Sequence, residues 1–373
     1  MAAHVTLALL AGVFVAAWFA HRREKSLVTS AGASLGLFAA AGLVGLAGAP
    51  SLLHLTIGAL ALAASSVASA LAFRASSRTR NSLLLAQRSL LRDYLTLTKP
   101  RIMVLLLLTA AGGRFLGAQG VPPAGLLAAT LGGLALACGG ASALNHVLDR
   151  DIDVRMRRTD RRPVAAGRVS PERALEFGVA LSALSFVVLA SFANVLAALL
   201  AVAGNLFYVI VYTRWLKRST PQNIVIGGAA GAVPPLVGWA AATGNLTLPA
   251  LFLFLIVFFW TPPHFWALAL LIRRDYEAAG VPMLPVVKGE DETARSIVRY
   301  TFVLVAISLL PVFWSTVGWV YLGTAIVLGG GFIGLALLLR REHTPAHARR
   351  LFTFSLAYLA LLFVAMAIDP LVL

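Results

Sequence analysis

The chain has 373 residues, 59% of them hydrophobic and only 12% charged, with a mean hydropathy of +0.86. Soluble globular domains carry roughly 25% charged residues, so an ordinary soluble fold is excluded and an all-α polytopic membrane protein is expected. The net charge of +16 does not point to nucleic acid, because the basic residues form short clusters between long apolar runs rather than one continuous surface.

Apolar segments of membrane-spanning length are read near 4–20, 27–48, 51–73, 102–118, 124–145, 173–191, 193–213, 222–243, 248–271, 296–314, 318–339 and 350–368. The first is not read as a signal peptide, since no basic residue precedes it and His21-Arg22-Arg23-Glu24-Lys25 follows it. With the N-terminus outside, alternation places the basic intervals 21–26, 74–101, 146–172, 214–221, 272–295 and 340–349 in the cytoplasm. Of the 31 Lys and Arg residues only Arg114 then lies toward the outer side, where its side chain is expected to snorkel outward. The polar interval around 74–98 separates three leading segments from nine following ones, so a boundary is placed near residue 80, with an N-terminal membrane extension (1–80) before a core (81–373). The extension has almost no intramembrane polarity, and neither His4 nor His54 has a partner at metal-binding spacing. Cys138 lies in an apolar run and is read as a small core residue, with no intrachain disulfide.

The fifth segment ends abruptly in the stretch from Asn145 to Pro171, which holds four aspartates and seven arginines. If the helix continues through them, Asn145, Asp149 and Asp153 sit at i, i+4 and i+8 and share one face, drifting by roughly 40° per step. Carboxylates clustered at a helix C-terminus oppose the macrodipole and each other, so a cation is the simplest remedy. Magnesium takes one or two carboxylates and fills its remaining positions with water and substrate phosphate, and the arginines downstream suit that phosphate. This is read as a magnesium–diphosphate site. The plainer alternative, a solvated loop whose arginines only set topology, has equal weight for Arg150, Arg155 and Arg168 taken singly.

A second polar cluster, from Trp260 to Ser296, follows the ninth segment on the same side. Pro262-Pro263 is expected to interrupt or kink the helix there. Asp275 is a candidate further magnesium ligand and Arg273 and Arg274 are candidate phosphate contacts, against the reading of an ordinary helix-end charge pair. Between the clusters, residues 212–244 carry Lys217 and Arg218, which either grip phosphate or anchor the helix. They also carry Gly227, Gly228, Gly231 and Gly238, read as close-packing positions, and Pro234-Pro235, read as a second helix break.

Three blocks carry a family resemblance. They are Asn145/Asp149/Asp153 followed by Met156-Arg157-Arg158-Thr159 and Arg161-Arg162-Pro163; YTRWLKRSTPQNIVIGGAAGAVPPLVGW; and TPPHFWALAL with RRDYEAAGVPMLPVV. Together they resemble the protoheme IX farnesyltransferase (haem O synthase) branch of the UbiA-type intramembrane prenyltransferases, from about Tyr94 to the last helix. The three leading segments lie outside the resemblance. The superfamily's second DxxxD motif is not matched, since Ala279 stands where the second aspartate would fall after Asp275.

The resemblance implies a nine-helix prenyltransferase core in the bacterial cell (inner) membrane, acting on farnesyl diphosphate and haem B at a cytoplasm-facing site. Magnesium on Asn145, Asp149 and Asp153 would face the diphosphate, with Arg157, Arg161, Arg162, Lys217 and Arg218 as clamps. Trp260, Phe265 and Tyr276 would face an allylic cation. His264 is read either as a ligand or guide for the haem acceptor or as a histidine bonded to backbone carbonyls freed by the prolines. Candidate partners are a haem A synthase or another oxidase-assembly factor. The competing functions are prenylation of a quinone precursor or aromatic acid, a noncatalytic haem-insertion factor, which needs no acidic face, and a transporter, whose coupling residues belong near the midplane rather than at one face.

Overall fold

A computed structural model describes residues 80–314 and 317–372 of the protein. The three leading segments, with His4 and His54, lie outside the described residues. The chain divides into two compact units, residues 1–90 and 91–373, and the second carries the site.

All regular structure among the described residues is helical. In chain order the helices are α1 (Arg80–Leu97), α2 (Pro100–Ala118), α3 (Ala124–Leu148), the short α4 (Arg150–Asp153), α5 (Pro171–Phe192) and α6 (Val195–Leu206). The last runs without a break into a π-helix (Phe207–Leu216) and α7 (Lys217–Ser219). Then come α8 (Asn223–Gly231), α9 (Val233–Thr243), α10 (Leu248–Leu271), α11 (Arg273–Ala278), α12 (Leu284–Val287), α13 (Gly289–Leu309), α14 (Trp319–Arg341) and α15 (Pro345–Val372). Among the described residues, nine spans are long and apolar enough to cross a bilayer, and they match the nine expected of the core.

Local chemistry sets the helix ends. Ser170 caps α5 by accepting from the Arg173 amide, with Pro171 at the first helical position, and Asn194 caps α6 by accepting from the Ala197 amide at 2.8 Å. Pro234-Pro235 does divide its span, since α8 stops at Gly231 and α9 restarts at Val233. Pro262 and Pro263 do not divide theirs: α10 is continuous from Leu248 to Leu271, and the Thr261 hydroxyl donates to the Val257 carbonyl at 2.8 Å just before them. The expected interruption is therefore absent, and in a low-dielectric setting a helix that keeps its other backbone bonds is favoured over one that opens.

The main core gathers on α10, where Leu253, Ile256, Val257, Trp260 and Trp266 pack with Tyr358, Leu362 and Phe363 of α15 and with residues of α13 and α14. A smaller cluster joins α2, α3, α5, α6 and α9, mainly through alanines and leucines. Arg114 does not snorkel. Its side chain is buried beside that small-residue packing on α2, and its Nε and Nη1 have no hydrogen-bond partner. Close helix approach takes precedence here over the long stem's preference for the interface.

Glycines permit that approach. A Cβ on Gly238 of α9 would lie 1.9 Å from the Ala110 carbonyl oxygen of α2, and Gly227 and Gly228 face Tyr212 and Thr261. Gly231 borders open space and is not a packing position. Gly238→Ala is accordingly expected to destabilise the bundle by about 3 kcal/mol or more, because backbone rather than a flexible side chain must move. Gly231→Ala should leave the thermal unfolding midpoint in detergent within experimental error of the parent. Equal midpoints for the two variants would contradict the α2–α9 contact.

Candidate functional site

The helix carrying Asn145 turns a corner at Asp149. This residue has φ −91° and ψ 1°, which ends α3, and α4 begins at Arg150. The shared face survives the corner. Asn145, Asp149 and Asp153 are all buried, and the Asn145 amide donates to Asp149 Oδ2 at 2.8 Å. Its other proton goes to Thr213 Oγ1 at 3.1 Å, on the π-helix. A π-helix is rare and tends to occur at functional sites. Here it brings Thr213 against Asn145, and Lys217 follows at its end.

Cations cover this acidic face. Lys217 Nζ lies 2.5 Å from Asp149 Oδ2, with the aspartate fully buried. Arg162 Nη1 donates to both oxygens of Asp153 at 2.8 Å, and the Thr159 hydroxyl holds the Asp153 carbonyl at 3.1 Å. Lys99 Nζ donates to Asn145 Oδ1 at 2.7 Å. Burial, with Arg162 nearby, pushes the Lys99 ammonium well below the usual lysine range. Asp149 Oδ1 remains buried with no hydrogen-bond partner.

Among the described residues no three His, Cys, Asp or Glu side chains converge at metal-ligand spacing. Two carboxylates and an amide are nevertheless a donor set that fits magnesium, whose remaining positions go to water and phosphate, and the unsatisfied Asp149 Oδ1 supplies free lone pairs.

Arg218 is committed elsewhere. It pairs with both oxygens of Asp151 at 2.6 and 2.7 Å and donates to the Leu148 carbonyl at 2.6 Å, which ties α7 to the corner at Asp149. Those hydrogen bonds hold the Asp151 carboxyl down at about 2. Because the folded value is depressed, the tie is present above the ordinary carboxylate range near pH 4 and is lost only as pH falls through about 2. Arg218 thus braces the corner at Asp149, and its Nη2 also lies 3.9 Å from Asp149 Oδ1.

The second cluster meets the first. The Arg158 amide donates to Asp275 Oδ2 at 3.3 Å, and the buried Tyr276 lies within the fields of Arg158, Arg162 and Asp149, where burial raises its phenol. Asp275 therefore joins the two loops and makes no hydrogen bond or ion pair with Asp149 or Asp153. Arg273 pairs with Glu290 at 3.3 Å, the helix-end charge pair of the plainer reading. Arg157, Arg161 and Arg274 are exposed, and Arg161 uses its carbonyl to receive Arg168 Nη2 at 3.0 Å. His264 is bonded to a side chain rather than to a freed carbonyl: its Nδ1 lies 2.7 Å from Ser355 Oγ.

Sequence reasoning missed Lys99, taken only as a topological anchor, and the stacked pair Tyr208–Tyr212 on the π-helix, whose ring centroids are 5.5 Å apart. Tyr208 lies within the fields of Asp149 and Asp153. The signal at Lys99 was the proline after it. Pro100 disfavours the right-handed helical region for its predecessor, and Lys99 adopts a left-handed backbone with φ 51°, one of two non-glycine residues with positive φ among those described.

Residues 106–363 match the model of the UbiA prenyltransferase family. The fold agrees with this class. A structure reported for digeranylgeranylglyceryl phosphate synthase superposes with a TM-score of 0.64 at 20% identity, over 76% of this chain and 99% of that one. A UbiA homologue from Archaeoglobus fulgidus, bound to GPP and Mg2+, gives 0.53 at 17%, over 74% and 99%. Among sequences, the protoheme IX farnesyltransferase of Symbiobacterium thermophilum is 56% identical over 74% of this chain and 94% of its own. That of Roseiflexus sp. (strain RS-1) is 48% identical over 98% of this chain and 73% of its own, so similarity extends into the leading residues, contrary to the narrower resemblance read from the motifs. The chain belongs to the UbiA prenyltransferase family, in its protoheme IX farnesyltransferase branch, and is an enzyme of that class.

Lys99→Met removes the bond to Asn145 Oδ1 and one positive charge. A hydrogen bond to a charged group contributes about 1.5–3 kcal/mol, so turnover of the prenyl donor should fall by roughly ten- to a hundredfold in protein that still elutes as a folded species. A parental rate would contradict this assignment.

Proposed function

We propose that the protein transfers farnesyl from farnesyl diphosphate to a vinyl group of haem B, with water adding to give the hydroxyethylfarnesyl group of haem O. The observation that carries the reading is the buried Asp149–Lys217 pair at the end of a membrane helix, flanked by Asp153–Arg162 and Asn145–Lys99. Acids and cations interleaved in this way suit an anionic leaving group that arrives with its own metal. The name carried by relatives at about half identity supports haem as the acceptor.

Asn145, Asp149 and Asp153 would hold magnesium, which supplies positive charge opposite the diphosphate. Lys217 and Arg162, held by the acids, and Lys99, held by Asn145, would meet the phosphate oxygens, and cations placed in this way stabilise the charge that develops as the C1–O bond breaks. Tyr276, Tyr208 and Tyr212 line the same region and offer π faces to the allylic cation. The vinyl terminal carbon bonds to farnesyl C1. Water oxygen adds to the inner vinyl carbon, and its proton leaves to diphosphate. The apolar helices around the site keep bulk water from the cation until the carbon–carbon bond has formed. Residues 1–80 contribute none of these groups. The basic ends of the core spans support a cytoplasm-facing site in a bacterial cell membrane.

Purified protein given haem B, farnesyl diphosphate and magnesium should form a product whose mass equals haem B plus one farnesyl group and one hydroxyl. Asp149→Asn and Asp153→Asn, inserted at parental levels, should each lower that yield by about a hundredfold or more, and chelation should abolish it. Product from a quinone precursor or aromatic acid but not from haem would select the competing prenyltransferase reading. Orientation has its own check: in a Cys138→Ser background, cysteines at Asp160 or Glu277 should resist an impermeant thiol reagent in intact cells and react once the cells are opened. Labelling of either from outside would overturn the topology.

A further inference from the structure

His264 lies on α10 among aromatic rings rather than charges. It is stacked between Trp260, at a centroid distance of 4.2 Å and an interplanar angle of 17°, and Phe352 of α15, at 4.7 Å and 24°. Phe265 meets it edge-on. These contacts fix the imidazole plane.

The hydrogen bonds fix its protonation pattern. Ser355 Oγ donates its only proton to the Phe352 carbonyl at 2.6 Å. With that proton engaged, Ser355 Oγ is placed to accept from His264 Nδ1–H, 2.7 Å away, the tautomer that leaves Nε2 unprotonated. The Trp260 indole locks the same turn by donating to the Ser355 carbonyl at 2.7 Å. Nε2 is left as an unprotonated lone pair. It makes no hydrogen bond with a described residue and, unlike both nitrogens of His146, it is not sealed inside the packing. A histidine whose distal N–H is held by an oxygen, so that its other nitrogen presents a lone pair in fixed orientation, has the arrangement of a metal ligand with its supporting partner.

We infer that His264 Nε2 is the axial ligand to the iron of the haem acceptor, with Ser355 as the positioning residue that holds its tautomer. The inference rests on the reading of haem as the acceptor. His264 is seven residues from the end of α10, so it lies about 10 Å along the axis from the polar end of the bundle where Tyr276 and the acidic face lie. A flat porphyrin fixed through its central metal at that depth has its plane and tilt set, and its vinyl-bearing edge can be turned toward the prenyl donor. Stacked aromatics around the ligand suit a large apolar macrocycle. Prolines at 262 and 263, inside a helix that stays continuous, stiffen the turn that carries it.

The test is titration of the full-length protein in lipid nanodiscs with haem B, followed by absorption and resonance Raman spectroscopy. The parent should bind haem with the signature of an imidazole-ligated iron. His264→Ala should lose that signature and bind haem at least tenfold more weakly, and added imidazole should restore the signature. His264→Met, which keeps the bulk and offers a thioether, should change the ligand signature without loss of folded protein. Ser355→Ala should keep the imidazole ligand but weaken binding several-fold, while His343→Ala, at the exposed end of α14, should change nothing. If the parent binds haem without a nitrogen ligand on iron, or if the parental signature survives His264→Ala, the inference is overturned while haem as acceptor stands. If the parent binds no haem at all, the acceptor assignment fails and this inference fails with it.

Discussion

A carboxylate that is fully buried at the end of a membrane helix cannot stand alone. Removing an ion from water costs several kcal/mol even after relaxation, so Asp149 must be neutralised by whatever folds around it. In this protein the neutralising group is Lys217, delivered from the π-helical end of the fourth core span. The corner at Asp149, the Arg218–Asp151 tie that closes it and the Asn145–Thr213 bond all serve that pairing. The arrangement gathers Asp149, Asp153, Lys217, Arg162 and Lys99 in one cluster and leaves Asp149 Oδ1 without a hydrogen bond, with Arg218 Nη2 3.9 Å away. Each buried acid is thus paired with a cation from another part of the chain.

The two polar clusters have different parts in this account. The first supplies the acids. The second, on α11, supplies Tyr276 and the Asp275 carboxylate, which receives the Arg158 amide and so holds the first loop in place. Ala279, which stands where a second aspartate motif would put an acid, is instead a buried residue of the main core. The packing of α10 against α15 is built differently again, from aromatic rings around His264 and Ser355, with the Trp260 indole bonded to the Ser355 carbonyl.

Much of this was legible in the sequence because membrane proteins write their spans and their acids plainly. All nine core spans are found where apolar length places them, and the i, i+4, i+8 spacing of Asn145, Asp149 and Asp153 brings them onto one buried face despite the corner. What spacing does not reveal is partner choice. Arg218 and Arg273 look like phosphate clamps in a string of basic residues, yet each is paired with an acid from another element. Lys99 looks like an anchor, yet it takes a left-handed backbone before Pro100 and its ammonium is bonded to Asn145. Arg114 is buried, and Pro262-Pro263 leave their helix uninterrupted, for a related reason: rules for isolated helices yield when neighbouring helices bury the residue. The tautomer of His264 depends on a serine 91 residues away and has no local signal at all.

The central claim is that the buried acids accept a divalent metal in concert with a diphosphate. It is tested most directly by following manganese, as a spectroscopic stand-in for magnesium, on the purified protein with and without a non-ionisable thio analogue of farnesyl diphosphate. Binding should be weak alone, because Lys217 and Arg162 already neutralise the acids, and at least tenfold tighter once the analogue is present, with both effects lost in Asp149→Asn. Manganese binding indifferent to the analogue, or analogue binding unchanged by chelator, would contradict it.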